Sequence, residues 1–473
     1  MAKEYIVPRI DVDESDVGPR PASGVSLGRI GVVGTFAKGP LNKPVTIGSP
    51  DQFVQQFGEF RTDLSGPLSM LGAFNQGASD FVVVRIGGAS IATAKLTLKD
   101  DANADSIIAE ATSPGKWANG TESTGIKVAV AAGTSAGTVK LVVISGNKST
   151  VFDGVTLDNV GTFSTSDVTF KKVTGATKLP NVIDAQPLAG GDDGATTADT
   201  DYVGTLAADG SRSGLRVLDP VRCSVVIAAQ QSSTVIRSAL LTHAANAGLD
   251  EGLRMAVLNT PQATAVDAAT ALTGSLDSMR GIMAYPWVEP QEMEGVYVAP
   301  DGYYAGRLAQ LPGHHSPSNK QINGILSTER LLTYAEVKAL TQAKISPITL
   351  VEGRGFRIRN GLTLASDTAW NQTNIRRIFD KIEMTVYNDT QWVISEPHTP
   401  KTWAALAAQI DAVLQNMKQQ EEIYDFKPTV CDASNNPAEM VQARILNTRI
   451  RVRPIYAADY IDHAIQRLVG NEK

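Results

Sequence analysis

The sequence predicts a mixed α/β (α+β) protein: an alternating α/β core assembled from N- and C-terminal parts of the chain, with a β-rich domain inserted between them. Three observations carry this. From residue 220 onward, apolar strand-like runs alternate with helix-like segments. Residues 81–86 (FVVVRI) form the kind of apolar run that a sheet buries on both faces. Between 91 and 200 the composition breaks away from both flanks.

Residues 1–20 read as an N-terminal arm. Pro8, Pro19 and an acidic cluster (Asp11, Asp13, Glu14, Asp16) are interleaved with Ile6, Val7, Ile10 and Val12. Such a segment is too polar to bury itself but can form a strand where another sheet supplies the partner. The core begins at 21–90. Residues 29–34 predict a strand, and Ser49-Pro50-Asp51-Gln52 combines a capping Ser and Gln with Pro at the first helical position, so a short helix starts there. A second helix near 66–76 leads into the apolar strand at 81–86.

Residues 91–200 contain no arginine although the chain holds 23, and their nine basic residues are all lysines. Thr, Ser, Gly, Ala and Asp dominate, and short alternating runs at 127–130 and 138–144 are broken by turn-prone stretches. This reads as an inserted β-rich surface domain, with the Gly190-Gly191-Asp192-Asp193-Gly194 run as its exit linker. An isolated Gly-Asp cluster without repeat spacing is a solvated loop rather than a calcium site.

The core resumes over 201–445. Strands are expected at 223–228, 255–258 and 281–285, with one helix placing Val235, Ala239, Leu240, His243 and Ala244 on a single face and another near 263–273. Thr333-Tyr334-Ala335-Glu336 is a capping box, and Thr402 precedes a long helix whose stripe runs through Trp403, Leu406, Ala407, Ile410, Val413, Leu414 and Met417. The last part, 446–473, is a C-terminal strand and arm. Arg449, Arg451 and Arg453 alternate with Ile450 and Val452, giving one cationic and one apolar face. A cationic stripe needs an acidic partner: the chain's own surface, another copy, whose cluster at Asp11 to Asp16 is a candidate, or nucleic acid, which the acidic total of the chain disfavours most.

Composition narrows the function. With 43 Lys+Arg against 49 Asp+Glu the net charge is −6, which gives no global reason to bind nucleic acid or an anionic membrane. The start of the chain lacks the apolar core of a secretory signal, and no stretch of about 18 apolar residues occurs, so neither export by that route nor membrane insertion is expected. Cys223 and Cys431 are too few and too far apart for a disulfide framework and read as buried small side chains of a reducing compartment.

Chemistry-bearing motifs are expected to be absent. The stretch 34–41 has Gly-x4-Gly spacing after a strand, but Pro40 and Leu41 stand where a phosphate loop needs Lys and Ser or Thr. Ser113-x-x-Lys116 and Ser145-x-x-Lys148 lack the accompanying Ser-Asp-Asn and Lys-Thr-Gly motifs. His243, His314, His315, His398 and His463 show no zinc spacing. The basic segment 353–361 (GRGFRIRNG) reads as a β-turn with arginines along one strand face. Neither catalytic residues, nor a cofactor, nor a metal is expected.

The motif order resembles the sheath proteins of contractile phage tails and related contractile injection systems. The resemblance rests on residues 31–45 (GVVGTFAKGPLNKPV), 49–58 (SPDQFVQQFG), 74–85 (FNQGASDFVVVR), 298–306 (VAPDGYYAG), 316–324 (SPSNKQING), 375–378 (IRRI), 392–397 (WVISEP), Thr402-Trp403 and 457–461 (AADYI). It spans about residues 25–90 and 215–465 and leaves the insertion uncovered, where the family carries variable outer domains. It implies a structural subunit that stacks with many copies as rings or a helix around an inner tube, bounded by baseplate and terminator proteins. The resemblance further implies that the array assembles in the bacterial cytoplasm in an extended, metastable state and contracts in a virion tail or injection particle. Ile6, Val7, Ile10, Val12, Arg449, Arg451 and Arg453 would then be inter-subunit arm contacts made by strand addition. The family's extended C-terminal arm is expected here too, although Ile461, Ile465 and Leu468 have helical spacing. Two other readings are a different self-assembling protein (tube, capsid or surface-layer subunit) and an enzyme built on the α/β layer; the second lacks a nucleophile, base or phosphate cradle.

Overall fold

Where apolar runs alternate with capped helices, strands are forced into a parallel sheet whose two faces the helices must cover. The computed structural model describes residues 25–121 and 125–467. It opens with β1 (Ile30–Thr35), β2 (Pro44–Ile47), α1 (Pro50–Phe57), α2 (Ser65–Asn75) and β3 (Phe81–Ile86). Then come β4 (Lys95–Lys99), β5 (Asp105–Ala111), β6 (Ile126–Ala132), β7 (Val139–Ser145), β8 (Lys148–Val155), β9 (Val168–Lys172) and β10 (Ile183–Pro187). The alternating part runs α3 (Asp199–Val203), β11 (Val225–Ala228), α4 (Thr234–Asn246), β12 (Met255–Asn259), α5 (Val266–Leu272) and β13 (Gly281–Tyr285). It continues with β14 (Val288–Pro290), α6 (Asp301–Gln310), β15 (Ile325–Thr328), α7 (Tyr334–Gln342), β16 (Ile345–Val351) and β17 (Gly355–Ile358). The last elements are α8 (Thr373–Asp389), α9 (Pro400–Gln419), β18 (Ile423–Val430), α10 (Ala438–Gln442) and β19 (Arg449–Pro454).

The chain divides into two compact units. Among the described residues, one holds 26–121, 125–380 and 456–467, and the other holds 25 and 381–455. In the larger unit an eight-stranded sheet runs in the order β17-β16-β13-β12-β11-β1-β3-β2. Its six central strands are parallel, and β2 and β17 close the two edges antiparallel. All six residues of β3 are buried, as a strand covered on both faces requires. Ile30, Val32, Phe81 and Val83 enter one apolar layer, while Val33, Val82 and Val84 enter the other. Ser49 and Thr333 cap α1 and α7 through their side chains, and the Thr333 box closes on Glu336.

On one face α2 and α6 approach until their backbones nearly touch. A Cβ on Gly306 would lie 2.7 Å from Ala73 Cα, and one on Gly302 would overlap the Ser69 carbonyl oxygen. Only glycine fits there.

Strands β4 to β10 form a three-stranded sheet, β4-β5-β9, and a four-stranded sheet, β10-β6-β7-β8, all antiparallel. The two enclose an apolar cluster of their own, including Trp117, Leu141, Val155 and Phe170.

Two local expectations need correction. Val235 is 56% exposed, because Ile236 and Leu240 take the core face of α4 and a neighbouring residue is turned about 100° away. The long helix α9 starts two residues before Thr402, with Thr399 as its cap and Pro400 at the first position. Residues 455–467 have no regular secondary structure, and Tyr460 and Ile465 are 91% and 93% exposed. Ile461 and Ile465 have helical spacing but are exposed, so among the described residues no apolar surface covers them and a helix there gains nothing from packing.

His243 is wedged between two partners. Arg254, a donor only, gives an N–H to Nε2 at 2.8 Å, so Nδ1 carries the proton and donates to Asp219 Oδ1 at 3.1 Å. Burial, then the charges of Arg254 and Arg216, pull the His243 pKa from 6.5 to about 3. Between those values the unfolded chain takes up a proton that the folded chain refuses, so stability is lost as pH falls through that window. Urea midpoints measured at about pH 7 and about pH 4 should therefore differ less in His243→Gln than in the wild type. An unchanged difference would show that His243 plays no part in acid sensitivity. For the helix pair, Gly302→Ala should lower stability by about 1–3 kcal/mol. Gly274→Ala, which meets nothing within 4 Å, should leave the thermal midpoint unchanged.

Candidate assembly interface

An open parallel sheet holds its ligands beyond the carboxyl ends of its strands, where the connections switch direction. Here that position lies between β1 and β11, and the chain's own side chains occupy it. Tyr202, 2% exposed, shares hydrogen bonds with Ser65 Oγ (2.8 Å) and Gln231 Nε2 (3.0 Å). Beside it the fully buried Asp301 carboxylate accepts from Ser69 Oγ (2.7 Å), Asn259 Nδ2 (2.9 Å), and the Gln230 and Gly302 amides (2.9 and 2.6 Å). Burial raises the Asp301 pKa and these four donors oppose the rise.

The Gly-x4-Gly loop has the wrong polarity for phosphate. Its carbonyls at Phe36, Ala37 and Gly39 point at the buried Arg85 guanidinium, at 2.9, 3.2 and 2.8 Å, and Pro114 O completes the ring at 2.9 Å. Burial lowers the Arg85 pKa to about 10, with the charge of Asp193 opposing, so the group is cationic at neutral pH. In the GRGFRIRNG segment, Arg357 gives its guanidinium to Asn319 O and Arg354 O at the turn between β16 and β17. Both cysteines are free and buried. Among the described residues, no three His, Cys, Asp or Glu side chains are placed to hold a metal, and no helix is long and apolar enough to cross a membrane.

The unit formed by residues 381–455 presents a different kind of surface. Helix α9 buries Trp403, Leu406, Ile410, Val413, Leu414 and Met417 and packs against β18. Lys381 Nζ, 2.7 Å from Glu422 Oε2, pins the start of that strand. Strands β18 and β19 pair antiparallel in a two-stranded ribbon, with Asp425 opposite Arg453, Phe426 opposite Val452 and Lys427 opposite Arg451. The connection is closed by Asn435 and Asn436, which donate to Asn447 O at 2.8 and 3.0 Å, while Asn447 N returns to Asn436 Oδ1 at 2.6 Å. The sequence signal for this clamp, Asn-Asn-Pro followed by a lone Asn before the arginine strand, is recognisable only once the two strands are known to pair.

The arginine strand has the two faces its pattern requires. Arg449, Arg451 and Arg453 are exposed while Ile450, Val452 and Pro454 are partly buried. Arg453 lies 4.7 Å over the Tyr424 ring. A hydrogen bond from Lys418 first of all, then the Phe426 amide and the charges of Lys418 and Arg453, hold the Asp425 carboxyl below the usual range. Lys427 and Arg451 are like charges facing each other, an unfavourable cross-strand pair. Among the described residues neither outer edge of the ribbon is paired. The structure thus gathers the three arginines on one strand, whose first partner is β18 of its own chain. Ile6, Val7, Ile10 and Val12 lie outside the described residues.

Comparison with known proteins agrees with this architecture. The phage tail sheath protein central domain matches residues 216–364, and the phage tail sheath C-terminal domain matches residues 365–466. Together they take in more than half of the chain, which belongs to the contractile tail sheath family. The tail sheath protein of Vibrio phage KVP40 is 28% identical over 142 residues, 30% of this chain and 21% of that protein. A protein described as a prophage major tail sheath protein of Pseudomonas aeruginosa is 26% identical over 212 residues, 42% of this chain and 54% of its own length. The chain thus spans about a fifth and about half of these two relatives. The sheath tail protein of Listeria innocua superposes with a TM-score of 0.66 at 13% identity, covering 87% of this chain and 90% of the other. The anti-feeding prophage helical sheath in its contracted state gives 0.58 at 13% identity, covering 98% and 100%. At those identities the likeness establishes the fold.

Proposed function

We propose that this chain is the structural subunit of a contractile sheath. It polymerises helically around an inner tube in a metastable extended state, then contracts to drive the tube through a target cell envelope. The observation that carries the reading, beside family membership, is the open ribbon of β18 and β19. A two-stranded sheet is marginal alone and invites further strands, and a heterologous contact that does not close on itself generates a helix. Its partners are other copies, the inner tube, and baseplate and terminator proteins, with assembly in the bacterial cytoplasm before the array works in a virion tail or injection particle. Two packings of one subunit that differ by about a few kcal/mol store useful work when many copies switch together, provided a kinetic barrier holds the first.

The subunit acts without catalysis; the switch-point position supports this, since the polar side chains there, Tyr202 and Asp301 among them, are hydrogen-bonded to the chain's own residues. Residues 91–200 form an outward-facing domain, supported by the separate apolar cluster of β4 to β10. The arms at residues 1–20 and 446–473 tie neighbouring copies together, through Ile6, Val7, Ile10 and Val12 at one end and the strand carrying Arg449, Arg451 and Arg453 at the other.

Electron microscopy of the purified protein tests the proposal. Wild-type protein should form long hollow sheaths, whereas a chain lacking residues 1–18 should remain a folded monomer; sheaths of normal length from the truncated chain would remove the linking role of the arm. Replacing residues 95–195 by a short Gly-Ser bridge should leave a protein that still assembles, and loss of all soluble folded protein would place that segment in the core.

A further inference from the structure

We propose that Arg307 and Arg357 together form a site for an oxyanion, a carboxylate or phosphate group supplied from outside the chain. Taking a guanidinium out of water is costly unless acceptors replace the lost hydration. Arg85 and Arg254 meet that demand with main-chain carbonyls, and Arg280 and Arg376 meet it with Asp380. Arg307 does neither. It is half-buried near the end of α6, its Nε is enclosed without an acceptor, and its guanidinium makes no hydrogen bond or ion pair with any described residue.

The fold brings Arg357 to the same place. Arg307 lies one turn after Tyr303 on the same flank of α6, and Tyr303 Oη donates to Gly324 O at 3.3 Å, which sets that flank against residues 319–324. Those residues in turn run along β17: Asn319 N reaches Ile358 O at 2.7 Å and Ile322 N reaches Phe356 O at 2.9 Å. From β17 the Arg357 side chain turns onto them, giving Nη1 to Asn319 O at 2.6 Å and Nε to Arg354 O at 3.2 Å, while its Nη2 has no acceptor among the described residues. Burial first, and then the charge of Arg357, lower the Arg307 pKa, so the two guanidinium groups feel each other. Lys320, in the same stretch, adds a third positive charge. An anion relieves such repulsion. The guanidinium fork matches the paired oxygens of a carboxylate or phosphate, and charge-assisted bonds of this kind are about twice as strong as neutral ones. Such a group would accept from the terminal nitrogens of Arg307 and from Nη2 of Arg357. Two sources share this chemistry: an Asp or Glu of a neighbouring copy, and free phosphate.

Thermal unfolding of dilute, unassembled full-length protein tests this, with sodium phosphate replacing sodium chloride at constant ionic strength. Phosphate at about 20 mM should raise the wild-type midpoint by about 1–3 °C. Arg307→Gln should lose that rise, and Arg359→Gln, which changes an exposed arginine just after β17, should keep it. Equal rises in wild type and Arg307→Gln, or no rise in wild type, overturn the inference. If Arg307→Gln does not fold, Arg307→Lys serves instead, because it keeps the charge and loses the fork. Its rise should be smaller than that of wild type, and an equal rise overturns the inference. Sheath length then separates the two sources. If a neighbouring copy supplies a carboxylate, Arg307→Gln should give shorter sheaths and phosphate should shorten those of the wild type. If free phosphate is the ligand, Arg307→Gln should build sheaths of wild-type length while its phosphate response is still lost. Only this second measurement rests on the sheath reading above; the thermal one stands without it.

Discussion

A guanidinium removed from water must find acceptors, and in the larger unit it finds them on the main chain. Arg85 is the last residue but one of the buried strand β3 and satisfies its fork with four carbonyls, three from the loop after β1 and one from Pro114. That single side chain fixes the loop, the strand and the entrance to the β-rich segment in one step. Arg254 repeats the device, reaching the carbonyls of Leu218, Val221, Glu251 and Gly252. Arg280 and Arg376 converge instead on Asp380, at 2.9–3.0 Å. A buried cation whose partners lie on several segments is destabilised if any of them shifts, so these residues select one arrangement of the connections among the many that would pack equally well.

This arrangement also explains why a fold suited to ligand binding holds its crevice closed. The parallel strands end, as in many enzymes, in polar residues at the switch point, but those residues are spent on one another. Ser65, Ser69, Gln230, Gln231 and Asn259 bridge helices and strands through Tyr202 and Asp301, and the network works as a fastener where other proteins of this architecture keep a pocket. In the unit formed by residues 381–455, among the described residues, the ribbon of β18 and β19 leaves both outer edges without a strand partner.

How much of this could be read beforehand follows from the range of the interactions involved. Ser49 and Thr333 act within three residues of themselves, so both helix starts were legible; β3 announced itself because burial on both faces leaves an unbroken apolar run. Arg85 was not legible as a keystone, since its acceptors are backbone atoms 29–49 residues away that carry no side-chain signature. The Asp301 network links positions up to 232 residues apart and is equally silent. Val235 failed for a local reason, competition with the larger Ile236 for the same side of α4. At the candidate interface the period of two at Arg449, Arg451 and Arg453 was sufficient to predict a strand and its faces. That the strand pairs with β18 needed the asparagine clamp, and the clamp becomes meaningful only in three dimensions.

The glycine contact between α2 and α6 bears on how such a body carries load. With Gly302 and Gly306 set against the Ser69 and Ala73 backbone, there is no soft layer of side chains between the helices to be squeezed. Interiors packed to that closeness have low compressibility and pass strain on. The unit built on the eight-stranded sheet therefore behaves as a stiff mechanical element: a push at one side arrives at the other as displacement, with little of it absorbed as internal deformation. Work extracted from an array of such elements has to be held in the joints between them, as tension is held in the links of a chain and not in the steel of each link.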